Sequence, residues 1–267
     1  MNPVEVVEGD SPLILGLPHT GTWLPPAIMA RLNARGQVLA DTDWHIERLY
    51  AGLVPGATQV RATFHRYVID ANRPPDGASL YPGQNTTGLV PVIDFDGRPI
   101  WSERPGAAEI DARRQVYHAA YHAALAAQVA RVRARHGVAI LYDCHSIRST
   151  IPFLFEGVLP DFNIGTVQGE SCDPRVEALA VEECAKARGY TSVLNGRFQG
   201  GWTTRHYGKP AQGVHAIQME LAQSTHLTRE APPFAYDPAK AEALRGTLRV
   251  LLEGLIALAP QLRAARR

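Results

Sequence analysis

The sequence predicts an α/β fold with three layers, in which helices cover both faces of a mostly parallel, mixed central sheet. Short apolar runs typical of buried strands alternate along the chain with longer segments of helical periodicity. No stretch resembling a linker divides the 267 residues. We therefore expect a single domain over 1–267.

The first elements follow from apolar runs and their breakers. The run at 13–17 stops at Pro18 and indicates a buried strand. A short helix is predicted at 25–35, with proline in its first turn, and a second helix at 43–53. The β-branched and aromatic residues of 60–69 indicate one or two strands.

A long irregular segment is predicted at 74–105. Six prolines and repeated glycines fall within it, which excludes a long regular element. A loop of this length in a compact domain is usually functional or mobile. The segment 74–105 is therefore either a lid or wall over a pocket, or a surface loop without a function of its own.

The second half of the chain alternates more regularly. Apolar residues recur at three- and four-residue steps over 109–136, which predicts a long helix closed by Gly137. Asp173 followed by proline is a typical helix start. Further strands are predicted at 138–142, 151–155, 191–194 and 215–221, and further helices at 173–188 and 238–258.

Composition excludes several classes of protein. The 27 Lys and Arg nearly balance the 26 Asp and Glu, which argues against a nucleic-acid partner. Three scattered cysteines are too few for a disulfide framework or a cysteine-rich zinc site. The start of the chain lacks a secretory pattern, and the apolar stretch at 250–259 is too short to span a membrane. We expect a cytoplasmic protein, either a monomer or a homodimer.

Polar residues at three predicted strand ends indicate a metal site. His19 follows the first strand, His145 follows the strand at 138–142, and Glu220 lies near the end of the strand at 215–221. Sites in α/β sheets form at such ends. Two imidazoles and a carboxylate can hold a divalent metal, and a further carboxylate can move a proton.

Each of these residues also has a structural explanation. A histidine at a strand end is often only a hydrogen-bonded surface group. Glu220, between Met219 and Leu221, could be a buried partner of an arginine rather than a base. Asp41 and Asp43 flank Thr42 and could cap a helix, or one of them could be the carboxylate ligand.

Two further groups of residues lie near these positions. Asp143 and His145 are two apart in a strand and point to the same face, so Asp143 could orient a ligand histidine. His118 and His122 have the spacing of a metalloprotease helix, but Ala119 replaces its glutamate, which favours a packed aromatic helix face. Several arginines near strand ends or turns would suit an anionic substrate, and they could equally be structural: Arg66, Arg73, Arg148 and Arg205.

Seven motifs together resemble the N-formylglutamate deformylase (N-formylglutamate amidohydrolase) family of histidine catabolism. They occur in the family's order and cover most of the chain. They are LPHTG at 17–21, DTDWHIERLY at 41–50, RYVIDANRPP at 66–75, YDCHSI at 142–147, FNIGT at 162–166, GGWTTRHYG at 200–208 and IQMELAQ at 217–223.

The resemblance implies a zinc-carboxypeptidase-like α/β/α domain of the phosphorylase/hydrolase-like class. It also implies hydrolysis of N-formyl-L-glutamate to formate and L-glutamate, with one divalent ion, Zn²⁺ by expectation. His19 and His145 then correspond to metal ligands and Glu220 to the general base. The carboxypeptidase pattern places the carboxylate ligand three residues after the first histidine, where this chain has Thr22, so Asp43 is taken instead, with Asp41 as the alternative.

Charge complementarity and loop position add substrate contacts to this assignment. Arg73 and Arg205 would hold the two carboxylates of the substrate, with Asn72 and Thr203 as polar helpers. A related hydrolase acting on another N-acyl-amino acid, or a small carboxypeptidase, is the alternative activity. A binding protein with a degraded site is a third.

Overall fold

A seven-stranded mixed sheet forms the centre of the computed structural model, which describes residues 2–262. The strands are β1 (Val4–Val7), β2 (Leu13–Leu17), β3 (Thr58–Ala62), β4 (Ala139–Ile147), β5 (Phe162–Gly165), β6 (Ser192–Leu194) and β7 (Val214–Ala222). Their order across the sheet is β1-β3-β2-β4-β7-β5-β6. The pairs β1–β3 and β5–β7 are antiparallel, and the other pairs are parallel.

Helices cover both faces of this sheet, which confirms the predicted α/β class. They are α1 (Pro26–Met29), α2 (Ile46–Tyr50), α3 (Ala107–Arg113), α4 (Ala119–His136), α5 (Pro174–Lys186), α6 (Trp202–Tyr207) and α7 (Pro238–Leu258). A π-helical segment, Arg114–His118, joins α3 to α4. Helices α2, α5 and α7 pack on one face and α4 on the other, as the two separate apolar clusters show.

The central strands are buried on both faces. All nine residues of β4 and all nine of β7 are buried, and alternate residues of β4 belong to different clusters. Cys144 lies in the α7 cluster, so it points away from the face that carries Asp143 and His145. None of the helices in residues 2–262 has the length and apolarity needed to cross a membrane.

The ends of the longer helices follow from local chemistry. The Asp173 side chain accepts a hydrogen bond from the Arg175 backbone N–H, and Pro174 begins α5. Asp237 caps α7 in the same way. Gly137 ends α4 with φ of 75°, a left-handed conformation that favours glycine.

Several predicted elements differ in the structure. The predicted strand at 151–155 is a turn, whose apolar side chains join a small cluster beside the sheet rather than a ladder. The predicted helices at 25–35 and 43–53 shorten to single turns. Strands β1 and β5 and helix α6 had not been predicted. The segment 74–105 contains no helix or named strand, only turns and isolated bridges.

Candidate active site

Three buried side chains meet beyond β2 and along β4. His19 lies two residues past β2, Asp43 lies in the turn before α2, and His145 lies within β4. His145 Nδ1 is 3.2 Å from His19 Nδ1 and 3.1 Å from Asp43 Oδ2. His19 Nδ1 is 3.7 Å from the same carboxylate oxygen. We call these three residues the His–Asp–His cluster.

The His–Asp–His cluster has the composition and spacing of a metal site. Its three ligand atoms all lie within 4.8 Å of one another, and all three residues are buried. Tetrahedral zinc with metal–ligand bonds of about 2.0–2.1 Å places its ligand atoms about 3.3 Å apart. The separations in the cluster bracket that value, so these residues fit a divalent ion.

The outer ring nitrogen of each histidine contacts another carboxylate. His19 Nε2 is 2.7 Å from Asp70 Oδ1, and His145 Nε2 is 2.9 Å from Asp143 Oδ2. Such contacts fix the tautomer of a ligand histidine and turn its other nitrogen toward the metal. The structure thus places Asp143 where the sequence had suggested it, and Asp70 adds a second such carboxylate.

The side chains of the cluster shift one another's pKa values. Burial alone would raise the pKa of Asp43, but the nearby His19 and hydrogen bonds from both histidines hold it well below its usual range. Burial alone would lower the pKa of His145, but Asp143 and Asp43 raise it well above 6.5. The site therefore stabilises positive charge at its centre, as a cation site requires.

The structure also distinguishes the two candidate carboxylates. Asp43 Oδ2 reaches the cluster and accepts a hydrogen bond from the Ser146 backbone N–H at 3.1 Å. Asp41 instead accepts from the Tyr67 hydroxyl at 2.9 Å and from the Phe95 backbone N–H at 3.0 Å. Asp41 thus joins Tyr67 to the irregular segment, and of the two carboxylates Asp43 is the one that reaches the cluster.

Glu220 lies on the neighbouring strand β7, in register with His145. It is 7 % exposed, and its Oε2 accepts from Gln218 Nε2 at 3.3 Å. Burial raises its pKa to about 8, against the lowering effect of His145. A carboxylate with this proton affinity can accept and release a proton near neutral pH.

A cavity is lined by the His–Asp–His cluster and Glu220. Arg66, Arg73 and Arg197 line it, together with apolar side chains. The irregular segment contributes four wall residues: Tyr81, Thr86, Thr87 and Phe95. The cavity therefore brings the His–Asp–His cluster together with three guanidinium groups, and guanidinium groups suit a small anionic ligand.

The predicted substrate contacts are only partly brought together. Arg73 and Asn72 line the cavity, but Arg205 and Thr203 do not. Arg205 donates to the Gly200 carbonyl at 2.9 Å and lines a different surface cavity, and Thr203 is fully buried in α6. Both residues belong to α6, a helix that the sequence did not predict.

Two residues of the site had escaped notice in the sequence. Asp70 lies two residues before Asn72, in the same motif as the predicted substrate contacts Asn72 and Arg73. Its position in that motif is a usable signal in the sequence. Arg197 carried no signal, since its loop reaches the cavity only through tertiary folding. Its Nε donates to the Leu154 carbonyl at 2.9 Å.

The helix pair His118 and His122 takes no part in the His–Asp–His cluster. His118 Nε2 is 2.9 Å from the Arg73 carbonyl, and His122 Nε2 is 2.8 Å from the Ala71 carbonyl. His122 stacks on Tyr207, with ring centroids 5.9 Å apart. This agrees with the packed aromatic face that the sequence favoured over zinc ligation.

The architecture and site define an α/β enzyme whose reactive groups gather at the carboxyl ends of parallel strands. The family model described as N-formylglutamate amidohydrolase matches residues 11–227. The chain therefore belongs to the N-formylglutamate amidohydrolase family, and it is a hydrolase.

Two relatives match over nearly the whole chain. A protein of Pseudomonas aeruginosa named N-formylglutamate deformylase is 50% identical over 254 residues, which is 93% of this chain and 94% of the relative. A protein of Pseudomonas putida with the same name is 45% identical over 253 residues, with 94% of each chain covered.

Solved structures share the fold. The crystal structure of N-formylglutamate amidohydrolase from Ralstonia eutropha JMP134 superposes with a TM-score of 0.83 at 25% identity, over 98% of this chain and 99% of that one. A gene product of Agrobacterium tumefaciens superposes with a TM-score of 0.73 at 18% identity, over 96% of both chains, and supports the fold alone.

Proposed function

We propose that this chain hydrolyses N-formyl-L-glutamate to formate and L-glutamate, as a metal-dependent step of histidine degradation. Membership of the family and the name of the two relatives support the substrate. The observation that carries the proposal is the buried His–Asp–His cluster beside Glu220, at the end of a cavity lined by three arginines.

His19, Asp43 and His145 would hold the ion. When bound there, a divalent ion supplies a Lewis acid and lowers the pKa of water from 15.7 to about 7. Histidine and carboxylate ligands suit zinc, and also manganese, iron or cobalt. Asp70 and Asp143 would keep the two rings in the orientation that ligation needs.

Glu220 would act as the general base. Its carboxylate would take a proton from the attacking water and pass it to the amide nitrogen as the C–N bond breaks. Burial gives it the proton affinity for both halves of this task. Gln218 holds the Glu220 carboxylate through one hydrogen bond and the Gly201 backbone N–H through another, so the base has a fixed orientation.

The arginines would hold the substrate. N-formyl-L-glutamate has two carboxylates, and Arg73 and Arg197 are the two arginines besides Arg66 that line the cavity. Arg66 Nη2 lies 2.7 Å from His19 Nδ1, and an ion bound by that nitrogen would replace this contact. The freed guanidinium would then lie beside the ion, where it could stabilise negative charge that develops on the formyl oxygen. Arg197 thus takes the part that the sequence had given to Arg205, and Asn72 keeps its place in the lining.

Formate release and metal analysis together test the proposal. We expect the purified protein to contain about one divalent ion per chain, and to lose formate release in a strong chelator and regain it with Zn²⁺. N-formyl-L-glutamate should be a far better substrate than N-acetyl-L-glutamate, N-formyl-L-aspartate or a dipeptide. Preference for either of the two other N-acyl-amino acids would favour the related N-acyl-amino-acid hydrolase, and preference for the dipeptide would favour a small carboxypeptidase.

Replacing the base provides a sharper test. Glu220→Gln keeps the size of the side chain and removes its ability to accept a proton, so kcat should fall by about 10³-fold. Zinc content and L-glutamate binding should stay near those of the wild type. Glu177→Gln, which lies outside the cavity, is the matched control. A Glu220→Gln variant with nearly normal kcat would exclude Glu220 as the base.

A further inference from the structure

One helix holds the segment that carries several site residues. Residues 70–73, which we call the 70–73 segment, lie against α4 and the π segment before it. His118 donates from Nε2 to the Arg73 carbonyl at 2.9 Å, and His122 donates from Nε2 to the Ala71 carbonyl at 2.8 Å. The two imidazole rings are 4.4 Å apart, so they act on the segment side by side.

The 70–73 segment reaches the site from its other side. Asp70 contacts His19 Nε2 at 2.7 Å, and Asn72 Nδ2 lies 3.0 Å from His145 Nε2. Arg73 lines the cavity. A displacement of this backbone would therefore move the orientation of both cluster histidines and the position of a cavity arginine at once.

The π segment explains why the three side chains that donate to this stretch of backbone, those of Arg113, His118 and His122, lie on one face of the helix. Arg113, five residues before His118, donates from Nη1 to the Val68 carbonyl at 3.1 Å. Because π-helical hydrogen bonds close over five residues rather than four, Arg113 and His118 lie on the same side of the helix, and His122 follows one α-helical turn later. Three side chains, one each from α3, the π segment and α4, thus bind backbone carbonyls of a single irregular stretch.

Both imidazoles are suited to this task at neutral pH. Burial lowers the pKa of His118, and lowers that of His122 to about 3, so each ring is neutral with one N–H. The carbonyl acceptors place that hydrogen on Nε2. The Tyr207 hydroxyl lies 3.1 Å from both His122 Nδ1 and the His122 backbone carbonyl, and its one proton can go to either acceptor.

We propose that His118 and His122 are positioning residues for the reaction, which act on the site through the Arg73 and Ala71 carbonyls of the 70–73 segment. This inference rests on the proposed function for its kinetic readout. The two residues have separable effects. His118 acts on Arg73 and hence on substrate binding, whereas His122 acts between Asp70 and Asn72 and hence on the His–Asp–His cluster.

The test compares two amides of different reach at each position. Glutamine can place its amide N–H near the position of histidine Nε2, while asparagine is too short to reach the carbonyl. We expect His118→Asn to raise KM about tenfold with kcat nearly unchanged, since small displacements of binding groups cost at least this much. His122→Asn should lower kcat about tenfold and weaken Zn²⁺ binding by a similar factor. The Gln variants should stay within about threefold of the wild type.

Two measurements do not depend on turnover. Zn²⁺ affinity is measured by competition with a chelator, and L-glutamate binding to the zinc-loaded protein by calorimetry. His118→Asn should weaken L-glutamate binding, and His122→Asn should weaken Zn²⁺ binding. The pair His136→Gln and His136→Asn, at the far end of α4, should leave both unchanged.

The proposal is overturned if the Gln and Asn variants are equally impaired, or if both Asn variants change kcat and KM in the same proportion. It is also overturned if any of the His118 or His122 variants fails to fold, because these two histidines would then stabilise the fold rather than position the site. A wild-type protein without turnover of N-formyl-L-glutamate would overturn the proposed function. The Zn²⁺ measurements would still test the role of His122.

Discussion

Two pairs of histidines occur in this protein at nearly the same ring separation, and they do different things. The centroids of His19 and His145 are 4.9 Å apart, and those of His118 and His122 are 4.4 Å apart. The outer nitrogens of the first pair contact the carboxylates of Asp70 and Asp143, and their inner nitrogens face Asp43. Each ring of the second pair uses Nε2 for a neutral backbone carbonyl.

The partner of the ring, rather than the distance between rings, separates these roles. Acidic partners raise the pKa of His145 well above 6.5 although burial opposes them, and they favour a cation at the centre of the pair. His122 has carbonyl and hydroxyl partners only, and burial lowers its pKa to about 3. The surroundings of His145 in the first pair favour positive charge. The surroundings of the second pair favour neutral imidazole rings that donate hydrogen bonds.

The same substitution in each pair should give the largest contrast. His145→Gln removes a ring nitrogen from the His–Asp–His cluster, so bound zinc and formate release should both be lost, with activity reduced by more than about 10³-fold. His122→Gln retains a donor toward Ala71 and should keep both. Metal content after dialysis and initial rates provide the measurement. Equal zinc retention in the two variants would remove the distinction between the pairs.

Removing the charge of one acidic partner should have a smaller effect. Asp143→Asn keeps an acceptor of the same shape near His145 Nε2 but removes the negative charge. Zinc affinity should fall by about 10–100-fold, the usual cost of such a change. A chelator competition assay measures it. The control is Asp111→Asn, which removes a negative charge at an exposed position. Asn163→Asp would not serve, because Asn163 on β5 is buried. An unchanged affinity would mean that the charge of Asp143 is unimportant to the cluster.

The contribution of His122 to the free energy of unfolding should depend on pH. In the unfolded chain a histidine takes up a proton as the pH falls through about 6.5, whereas folded His122 stays neutral until about pH 3. Unfolding therefore takes up a proton between these values, so the contribution of His122 to stability is complete above pH 6.5 and is lost as the pH falls below it.

Comparison of variants isolates this effect from other titrating groups. The buried Asp41, with its pKa raised to about 7, acts in the opposite direction in wild type and variant alike. Relative to His122→Gln, the wild type should lose about 2 kcal/mol of unfolding free energy between pH 7.5 and pH 5. Urea denaturation in the presence of a chelator measures it. Parallel pH profiles would show that folding does not shift the pKa of His122.

The sequence predicted the sheet better than its surroundings. Strands β2, β4 and β7 and helices α5 and α7 follow from apolar runs, proline positions and aspartate caps, all of which are local signals. The predicted strand at 151–155 was wrong because its apolar residues cover a small cluster beside the cavity rather than a sheet face. Apolar sequence reports burial, and burial alone does not specify an extended backbone.

The sequence by itself determined which side chains end the central strands, and so placed His19, His145 and Glu220 at one edge of the sheet. Only the tertiary structure decided that Asp43 rather than Asp41 reaches them, that Asp70 supports His19, and that Arg197 rather than Arg205 lines the cavity. The reason is physical. Strand periodicity fixes a direction within a few residues, whereas the approach of distant loops depends on how the whole chain packs.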